Sequence, residues 1–342
     1  MRVVEESELG NTKRVYLPHH AVFKESSSTT KLRVVFDASC KSDSGFSLND
    51  ILLVGANVQS DLIAILLKFR RFRYVFTADI VKMYRQILID DTQIILLILW
   101  RFNTNEPIII CKMLTLTYGL ASAAHSTTRS LEELAKINQD DLPLGAEVLE
   151  EDTYVDDVLS GGDTIEEAIT KRDQVVTILK SGQFVLSKWS ANHPQLLSGL
   201  SQSSSPPGNI AIDKNSESRI LGMQWNSSED VFRFTINVDS TSTKITKRTM
   251  LAEISQLFDP LGLLGPVILK AKILIQELWK IQMDWDSNVP MNIHTQWKQF
   301  KSQQHKRAED QEVYTFYSKG RGGTTTWICR CKPIGVWRVL LY

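Results

Sequence analysis

The chain is poor in cysteine and has no long apolar run. Only 4 of its 342 residues are cysteine, and they are scattered without a CxxC pair or a histidine at metal-ligand spacing. This pattern supports neither a disulfide framework nor a zinc site. The apolar run Ile94 to Trp100 is far shorter than the roughly 18 residues of a membrane span, and the first residues lack the apolar segment of a signal peptide. We expect an intracellular, cytoplasmic protein with no membrane partner.

The chain also lacks an excess of charge of either sign. Lysine plus arginine and aspartate plus glutamate number 39 each, so evidence for a nucleic-acid partner has to come from local clusters. Hydrophobic residues at 43% and charged residues at 23% are typical of folded proteins. At roughly 150 residues per domain, the length predicts about two domains.

Short β-rich runs alternate with helical ones from Tyr16 to about Trp189. Residues 201–209, rich in serine and proline, indicate an exposed connector. Beyond the connector, Arg219–Trp225 and Val231–Ile236 predict a hairpin of two strands.

The stretch from Thr243 to Trp285 is helical in pattern. It predicts a first helix that Asp259-Pro260 ends and a second helix that begins near Pro266, with an apolar seam between them. Three basic residues lead into the first helix and could bind phosphates or simply form a solvated helix end. They are Lys244, Lys247 and Arg248.

Carboxylates mark a possible reaction site. Tyr74–Ile80 alternates as a strand with Asp79 at its end, and Tyr154-Val-Asp-Asp157 predicts a hairpin with Asp156 and Asp157 as its two-residue turn. Two adjacent carboxylates repel by about 1 kcal/mol in water and about 4 kcal/mol at an effective dielectric of 20, so the cluster requires cations. Oxygen ligands select Mg²⁺ or Mn²⁺, and two such ions support nucleotidyl transfer to a 3′ hydroxyl. The alternative is an acidic surface turn.

Six segments follow one another in a characteristic order. They are Tyr16-Leu-Pro-His-His-Ala-Val-Phe-Lys24, Lys31-Leu-Arg-Val-Val-Phe-Asp-Ala-Ser39, Ser47-Leu-Asn-Asp50, Ala78-Asp-Ile-Val-Lys-Met-Tyr-Arg-Gln-Ile87, Tyr118-Gly-Leu-Ala-Ser122 and Tyr154-Val-Asp-Asp157. With them the chain resembles the reverse transcriptases of Pao/BEL long-terminal-repeat retrotransposons over about residues 15–290. Such an ordered set is far more specific than one tetrapeptide.

The resemblance implies an α+β fold, the right-hand polymerase. Fingers and palm would span residues 1–200, a linker and the primer-grip hairpin 201–240, and a helical thumb 241–290. Residues 291–342 are unassigned, and we expect a truncated or disordered tail. The implied activity is that of an RNA-directed DNA polymerase with two Mg²⁺ or Mn²⁺ ions. Its partners would be dNTPs and a primed RNA or DNA template.

The resemblance also implies the roles of single residues around the reaction centre. Asp79, Asp156 and Asp157 match the metal-binding aspartates. Lys188 matches the lysine that protonates the leaving pyrophosphate.

Other residues match the family's binding positions. Arg33, with Lys31 as a second candidate, matches the arginine that contacts the triphosphate. Tyr84 matches the aromatic ring that excludes a 2′ hydroxyl, and Tyr118 would line the nucleotide pocket. Leu221 and Gly222 match the primer grip.

Two alternatives stay open. One is a catalytically inactive, nucleic-acid-binding remnant of such an element. The other is an aspartic peptidase, because Asp43-Ser-Gly45 contains the required triplet, although it follows polar residues. For the polymerase, the basic residues Lys68, Arg70, Arg71 and Arg73 could contact template phosphates or form a solvated helix end. Since no acidic residue occurs from Val313 to Tyr342, we expect no ribonuclease H activity.

Overall fold

The structure is a computed structural model that describes residues 1–10, 13–25, 31–90, 94–200, 217–233, 244–262, 264–309, 315–318, 327–330 and 336–339. Its strands are β1 Arg2–Val4, β2 Lys13–Tyr16, β3 His19–Phe23, β4 Leu32–Phe36, β5 Tyr74–Ile80, β6 Ile94–Trp100, β7 Ile109–Lys112, β8 Thr153–Tyr154, β9 Asp157–Gly162, β10 Leu186–Ala191, β11 Glu217–Ile220, β12 Met223–Asn226, β13 Val231–Arg233, β14 Thr315–Ser318, β15 Trp327–Arg330 and β16 Val336–Val339.

The α-helices are α1 Leu48–Ile51, α2 Leu62–Arg71, α3 Ala123–Asn138, α4 Pro143–Glu151, α5 Ile165–Ser181, α6 Lys247–Ser255, α7 Gly265–Lys280 and α8 Met291–Glu309. No helix among the described residues is both long and apolar enough to span a membrane. The chain divides into two compact units. The first comprises Met1–Ser60, Asp79–Val158 and Thr170–Ser187, and the second comprises Asp61–Ala78, Leu159–Ile169 and Lys188–Tyr342.

The first unit contains a sheet ordered β1-β7-β6-β2 and the antiparallel hairpin β3-β4. Strand β6 is the apolar run seen in the sequence, and its side chains alternate between two clusters. Leu96 and Ile98 pack in one cluster, and Ile95 and Leu97 pack in the other. An apolar run without alternation is typical of a strand that is covered on both faces.

A second four-stranded sheet has the order β10-β5-β9-β8. Strand β5 lies between β10 and β9, and its side chains Val75, Phe76, Ala78 and Ile80 are buried. This sheet carries the two acidic motifs at the ends of its strands.

The second unit contains the three-helix group α6–α8. The sequence predicts one apolar face on helix α7, made of Val267, Ala271, Leu274, Leu278, Ile281 and Trp285. Ala271, Leu274 and Leu278 are buried, whereas α7 ends at Lys280 and Ile281 and Trp285 beyond it are exposed. Trp297 and Phe300 of α8 join the same core. The rings of Trp297 and Phe300 stack with centroids 5.1 Å apart. The expectation of an unstructured tail is therefore wrong for residues 291–309. The many charged and amide side chains of α8 hide its helical pattern in the sequence.

The predicted hairpin after the connector is also corrected. Arg219–Trp225 is not one strand, because β11 ends at Ile220 and β12 begins at Met223, so the unit is a three-stranded antiparallel sheet β11-β12-β13. The connector at residues 201–209 and the predicted strand end at residues 234–236 lie outside the described residues.

Candidate active site

A backbone hydrogen bond joins the end of β5 to the Tyr-Val-Asp-Asp hairpin. The N–H of Ile80 donates to the carbonyl oxygen of Asp156 at 2.7 Å. Asp79 directly precedes Ile80 in β5 and therefore lies beside the hairpin turn. The two acidic motifs, far apart in sequence, thus meet at one end of a sheet.

The hairpin turn lies one residue earlier than the sequence predicts. Thr153 pairs with Val158 and Tyr154 pairs with Asp157, so the two-residue turn is Val155-Asp156. The predicted Asp156-Asp157 turn is wrong, because the positive φ that a tight hairpin needs falls on Val155, at 55°. A β-branched residue with this φ is strained. The N–H of Val155 donates to Oε1 of Gln59 at 3.3 Å, which supports the turn.

The three aspartates differ in exposure. Asp156 is exposed, whereas Asp79 and Asp157 are half-buried. Over the described part of the chain, no three side chains of His, Cys, Asp or Glu lie close enough together to hold a metal ion. The predicted set of three ligands is therefore not assembled. The donor chemistry still fits a hard cation, because all three side chains offer carboxylate oxygens and the backbone bond brings Asp79 to the Asp156 turn.

Tyr84 lies near this turn. It belongs to the 3-10 helix Met83–Gln86 that follows β5 and is entered through Lys82, whose φ is 48°. Burial raises the pKa of the Tyr84 phenol, and the negative charge of Asp156 raises this pKa further. The ring meets that of Tyr118 edge-on, with centroids 6.2 Å apart and planes at 83°. The structure thus brings Tyr84 near Tyr118 and Asp156, and the dNTP-binding roles of the two tyrosines stay predictions.

Tyr118 is exposed but contacts several neighbours. Its ring centroid lies 6.2 Å from that of Phe36, and Nη2 of Arg85 donates to its hydroxyl oxygen at 3.0 Å. The following residue, Gly119, has a φ of 97°, and a Cβ there would lie 2.2 Å from the carbonyl oxygen of Phe36. Only glycine fits this approach. Sequence reasoning did not identify Phe36 or Arg85, because a contact between distant segments leaves no local pattern.

Arg33 and Lys31 lie on one face of the β3-β4 hairpin. Val22 pairs with Arg33, and the N–H of Lys24 donates to the carbonyl oxygen of Lys31 at 2.8 Å. Because side chains alternate along strands, His20 and Lys24 share this face with the two predicted residues. All four are exposed, so the face is open and electropositive. Lys24 was not among the predicted binding residues, and only the cross-strand register reveals it.

Lys188 lies on β10 and is exposed, with a φ of 52°. It belongs to the second unit, whereas Asp79, Asp156 and Asp157 belong to the first. Its role in protonating pyrophosphate stays a prediction.

Leu221 and Gly222 form the tight turn between β11 and β12. Their φ values are 47° and 85°, which suits a hairpin turn that needs two positive φ angles. A Cβ on Gly222 would lie 2.8 Å from the ring of Phe258, so this turn lies against the residues that follow α6. Their part in holding a primer stays a prediction.

The basic residues before α6 make contacts within the second unit. Lys247 is buried, and its Nζ lies 4.7 Å from the ring centroid of Trp285 and 5.8 Å from that of Trp279. Two indole rings lie near the ammonium group, and the contact of Lys247 with phosphates stays a prediction.

The other two predicted cations meet at one acidic residue. Arg248 donates two hydrogen bonds to the carboxylate of Asp286, at 2.8 and 3.0 Å, and Lys244 donates to the carbonyl oxygen of Asp286 at 2.7 Å. The hydrogen bond from Arg248 lowers the pKa of Asp286. Lys244 and Arg248 are exposed, and their contact with phosphates stays a prediction.

Arg70 of α2 is buried rather than solvated. Its Nη1 lies 2.5 Å from Oδ1 of Asp230, its Nη2 donates to the carbonyl oxygen of Asp230 at 2.8 Å, and its guanidinium lies 5.4 Å from the ring centroid of Phe232. Trp225 Nε1 donates to the same Oδ1 at 3.0 Å. Arg70 therefore links α2 to the sheet β11-β12-β13, and the reading of a solvated helix end is wrong for this residue.

One family model matches part of the chain. Residues 246–313 match the Pao retrotransposon-like RNaseH-like domain. This match supports the Pao part of the resemblance, in a region where the sequence predicts a helical thumb. The matched residues that the structure describes form α6, α7 and α8. No protein with a curated description matches the chain.

Solved structures resemble the chain over nearly its whole length. A foamy viral protease-reverse transcriptase in complex with RNA/DNA hybrid matches with a TM-score of 0.54 and 15% identity, covering 97% of this chain and 40% of that chain. A foamy viral protease-reverse transcriptase in complex with double-stranded DNA matches with a TM-score of 0.52 and 15% identity, covering 95% of this chain and 51% of that chain. The chain thus spans about half or less of these proteins. The likeness shows a mixed α+β fold of this kind, which confirms the coarser part of the predicted fold class.

Proposed function

We propose that this chain is the RNA-directed DNA polymerase region of a Pao-type retrotransposon. One observation carries the proposal: the bond from Ile80 N–H to the carbonyl oxygen of Asp156 joins Asp79 to the Tyr-Val-Asp-Asp turn. The match of residues 246–313 to a Pao domain supports the type of element. The likeness to a foamy viral protein bound to RNA/DNA hybrid supports a nucleic-acid partner.

In this proposal the β3-β4 hairpin acts as fingers, the sheet that carries the aspartates acts as palm, and helices α6 and α7 act as thumb. The domain limits are those that the resemblance implies: 1–200, 201–240 and 241–290. Leu221 and Gly222 would contact the primer from their turn against Phe258.

The aspartates would hold the metal ions. Asp79, Asp156 and Asp157 supply the oxygen ligands that Mg²⁺ or Mn²⁺ prefers. When bound, a pair of such ions makes the primer 3′ hydroxyl a better nucleophile and offsets the charge of the triphosphate. Lys188 would donate a proton to the leaving pyrophosphate oxygen.

The remaining residues would bind and select the dNTP. Arg33 and Lys31 would bind the triphosphate through charge-assisted hydrogen bonds, and the electropositive hairpin face would draw it in. The ring of Tyr84, half-buried beside Asp156, would lie under the sugar and exclude a 2′ hydroxyl. Tyr118 would line the other side of the pocket through its edge contact with Tyr84.

The test is the extension of a DNA primer on an RNA template with dNTPs and Mg²⁺ or Mn²⁺. We expect extension by the wild type, and a loss of nearly all extension in Asp79→Asn, Asp156→Asn and Asp157→Asn, because each variant loses a metal ligand while the fold persists. Asp140→Asn is the matched control, since Asp140 is exposed at the end of a helix outside the site. Wild-type rates in any of the three variants would contradict the proposed roles.

The same assay distinguishes the proposed polymerase from the inactive remnant, which would bind primer and template without extending the primer.

The peptidase alternative gains no support. Asp43 lies in an exposed turn that Gly45 N–H closes onto the carbonyl oxygen of Ser42 at 2.9 Å.

A further inference from the structure

Asn49 connects helix α1 to the loop that carries Tyr118. Its Nδ2 donates to the carbonyl oxygen of Gly119 at 2.8 Å, and its Oδ1 accepts the N–H of Ala121 at 2.8 Å. The Nδ2 group also donates to Oγ of Ser39 at 2.9 Å. One half-buried amide therefore satisfies a backbone acceptor and a backbone donor of the same loop.

The residues around Asn49 hold it in place. The hydroxyl of Ser47 accepts the N–H of Asp50 at 3.2 Å, and the carboxylate of Asp50 accepts the N–H of Ser47 at 2.9 Å, which forms a capping box around α1. The N–H of Asn49 itself donates to the carbonyl oxygen of Ala38 at 3.0 Å. Ser47 and Leu48 are buried. The amide of Asn49 is thus presented to the loop from a fixed backbone.

The loop needs such support. Gly119 has a φ of 97°, and its Cα approaches the carbonyl oxygen of Phe36 so closely that no Cβ fits. The preceding residue, Tyr118, contacts Phe36 and Tyr84 through its ring. A shift of the loop would therefore move the Tyr118 ring relative to Tyr84.

We infer that Asn49 is a positioning residue of the nucleotide site, which holds Tyr118 against Tyr84 through two hydrogen bonds to the loop. This inference rests on the proposed function, and it assigns Asn49 a task in binding the dNTP rather than in the chemistry. Enzymes lose rate and affinity steeply when a group that contacts the substrate moves by about 1 Å.

The experiment compares Asn49→Ala with Asn192→Ala in primer extension. Asn192 is a matched control, because its amide also accepts one backbone N–H, from Val75 at 2.9 Å, and donates to one carbonyl oxygen, of Arg73 at 2.9 Å. It belongs to the second unit, whereas Asn49 and Tyr118 belong to the first. We expect both variants to lose a comparable free energy of unfolding in urea denaturation. A kinetic difference between them then does not come from a general loss of stability.

The two variants should differ in kinetics. We expect Asn49→Ala to raise KM for dNTP by about tenfold with a smaller change in kcat, and Asn192→Ala to leave KM within about twofold of wild type. Asn49→Asp retains an oxygen for the N–H of Ala121 but cannot donate to Gly119 when it is ionised, so its KM should lie between those of wild type and Asn49→Ala.

Amide hydrogen exchange supplies a readout that does not depend on activity. The N–H of Ala121 should exchange faster in Asn49→Ala and keep its protection in Asn49→Asp and Asn192→Ala. If the wild type extends primers and Asn49→Ala shows the KM of Asn192→Ala, the positioning role is wrong and the polymerase proposal stands. If the wild type extends no primer, the proposed function is wrong and the inference falls with it.

Discussion

Tyr84 and Asp156 offer a test of the site that needs no substrate. Burial is the larger cause of the raised pKa of the Tyr84 phenol, and the charge of Asp156 is the smaller one. We expect Asp156→Asn to lower the pKa of Tyr84 while leaving it above the value of a free phenol, because burial still disfavours the charged phenolate. Ultraviolet titration at alkaline pH measures this pKa, and Tyr84→Phe identifies its signal.

Asp157→Asn is the control for this titration, because Asp157 is not among the groups that raise the pKa of Tyr84. An identical Tyr84 pKa in wild type and Asp156→Asn would show that the ring does not lie close to the turn.

Single residues of the site were predictable where their chemistry is unusual. Adjacent carboxylates and a tyrosine at a fixed distance from Asp79 are visible in the sequence, and the structure brings Asp79, Asp156 and Tyr84 together. The position of the turn was not predictable, because Val155 carries its positive φ and valine is rarely found there. Asn49 lies in the segment Ser47–Asp50 that the sequence singles out, but its role was missed, since its partner loop is 70 positions away.

The contact between α2 and the sheet β11-β12-β13 combines the packing of Phe69 against Trp225 and Phe232 with a buried ion pair. The side chain of Arg70 is only 3% exposed and that of Asp230 is 29% exposed. We expect Asp230→Asn to lower the free energy of unfolding by about 3 kcal/mol, because the buried guanidinium loses its counter-charge. Asparagine tolerates the positive φ of 53° at this position, so backbone strain does not contribute. Urea denaturation measures the loss.

Glu229→Gln is the matched control, because Glu229 is an exposed acid in the same turn. It should change the free energy of unfolding by no more than about 0.5 kcal/mol. Equal effects of the two substitutions would mean that the Arg70 pair does not hold the sheet to α2.

Helices could be predicted from the sequence where the spacing of apolar residues is regular, as for Ala271, Leu274 and Leu278 of α7. The turn between β11 and β12 could not be predicted at Leu221, because leucine is not a typical turn residue and only Gly222 indicates a turn there. The burial of Lys247 was hidden as well. Charge patterns predict a solvated helix end, whereas Trp279 and Trp285 come from another part of the chain and enclose the ammonium group.

For the whole molecule, the order of motifs was enough to predict the α+β class that the foamy viral structures share. The division into compact units was not predictable. Residues 61–78 and 159–169 cluster with the C-terminal part of the chain, so each unit is discontinuous in sequence. Sequence reasoning assigns contiguous domains because composition changes along the chain, whereas compactness depends on contacts between distant segments.

Residues 246–313 match an RNaseH-like domain, which raises the question of whether this chain has ribonuclease H activity. We expect the purified chain to leave the RNA strand of an RNA/DNA hybrid intact. Ribonuclease H chemistry needs several carboxylates around two metal ions, and the sequence has no acidic residue from Val313 to Tyr342. Within the matched region, Glu253 accepts hydrogen bonds from Trp297 at 3.1 Å and Lys301 at 3.0 Å, and Asp286 pairs with Arg248.

The measurement is cleavage of a labelled RNA strand in a hybrid with Mg²⁺ or Mn²⁺, carried out with wild type and with Asp156→Asn. The variant is informative because it lacks a polymerase ligand but keeps every acidic residue of the matched region 246–313. We expect no cleavage by either protein; two acidic residues of the matched region, Glu253 and Asp286, already pair with partners within the second unit. Cleavage by both proteins that is lost on substitution of Glu309 or Asp310 would show that the matched region carries a nuclease site.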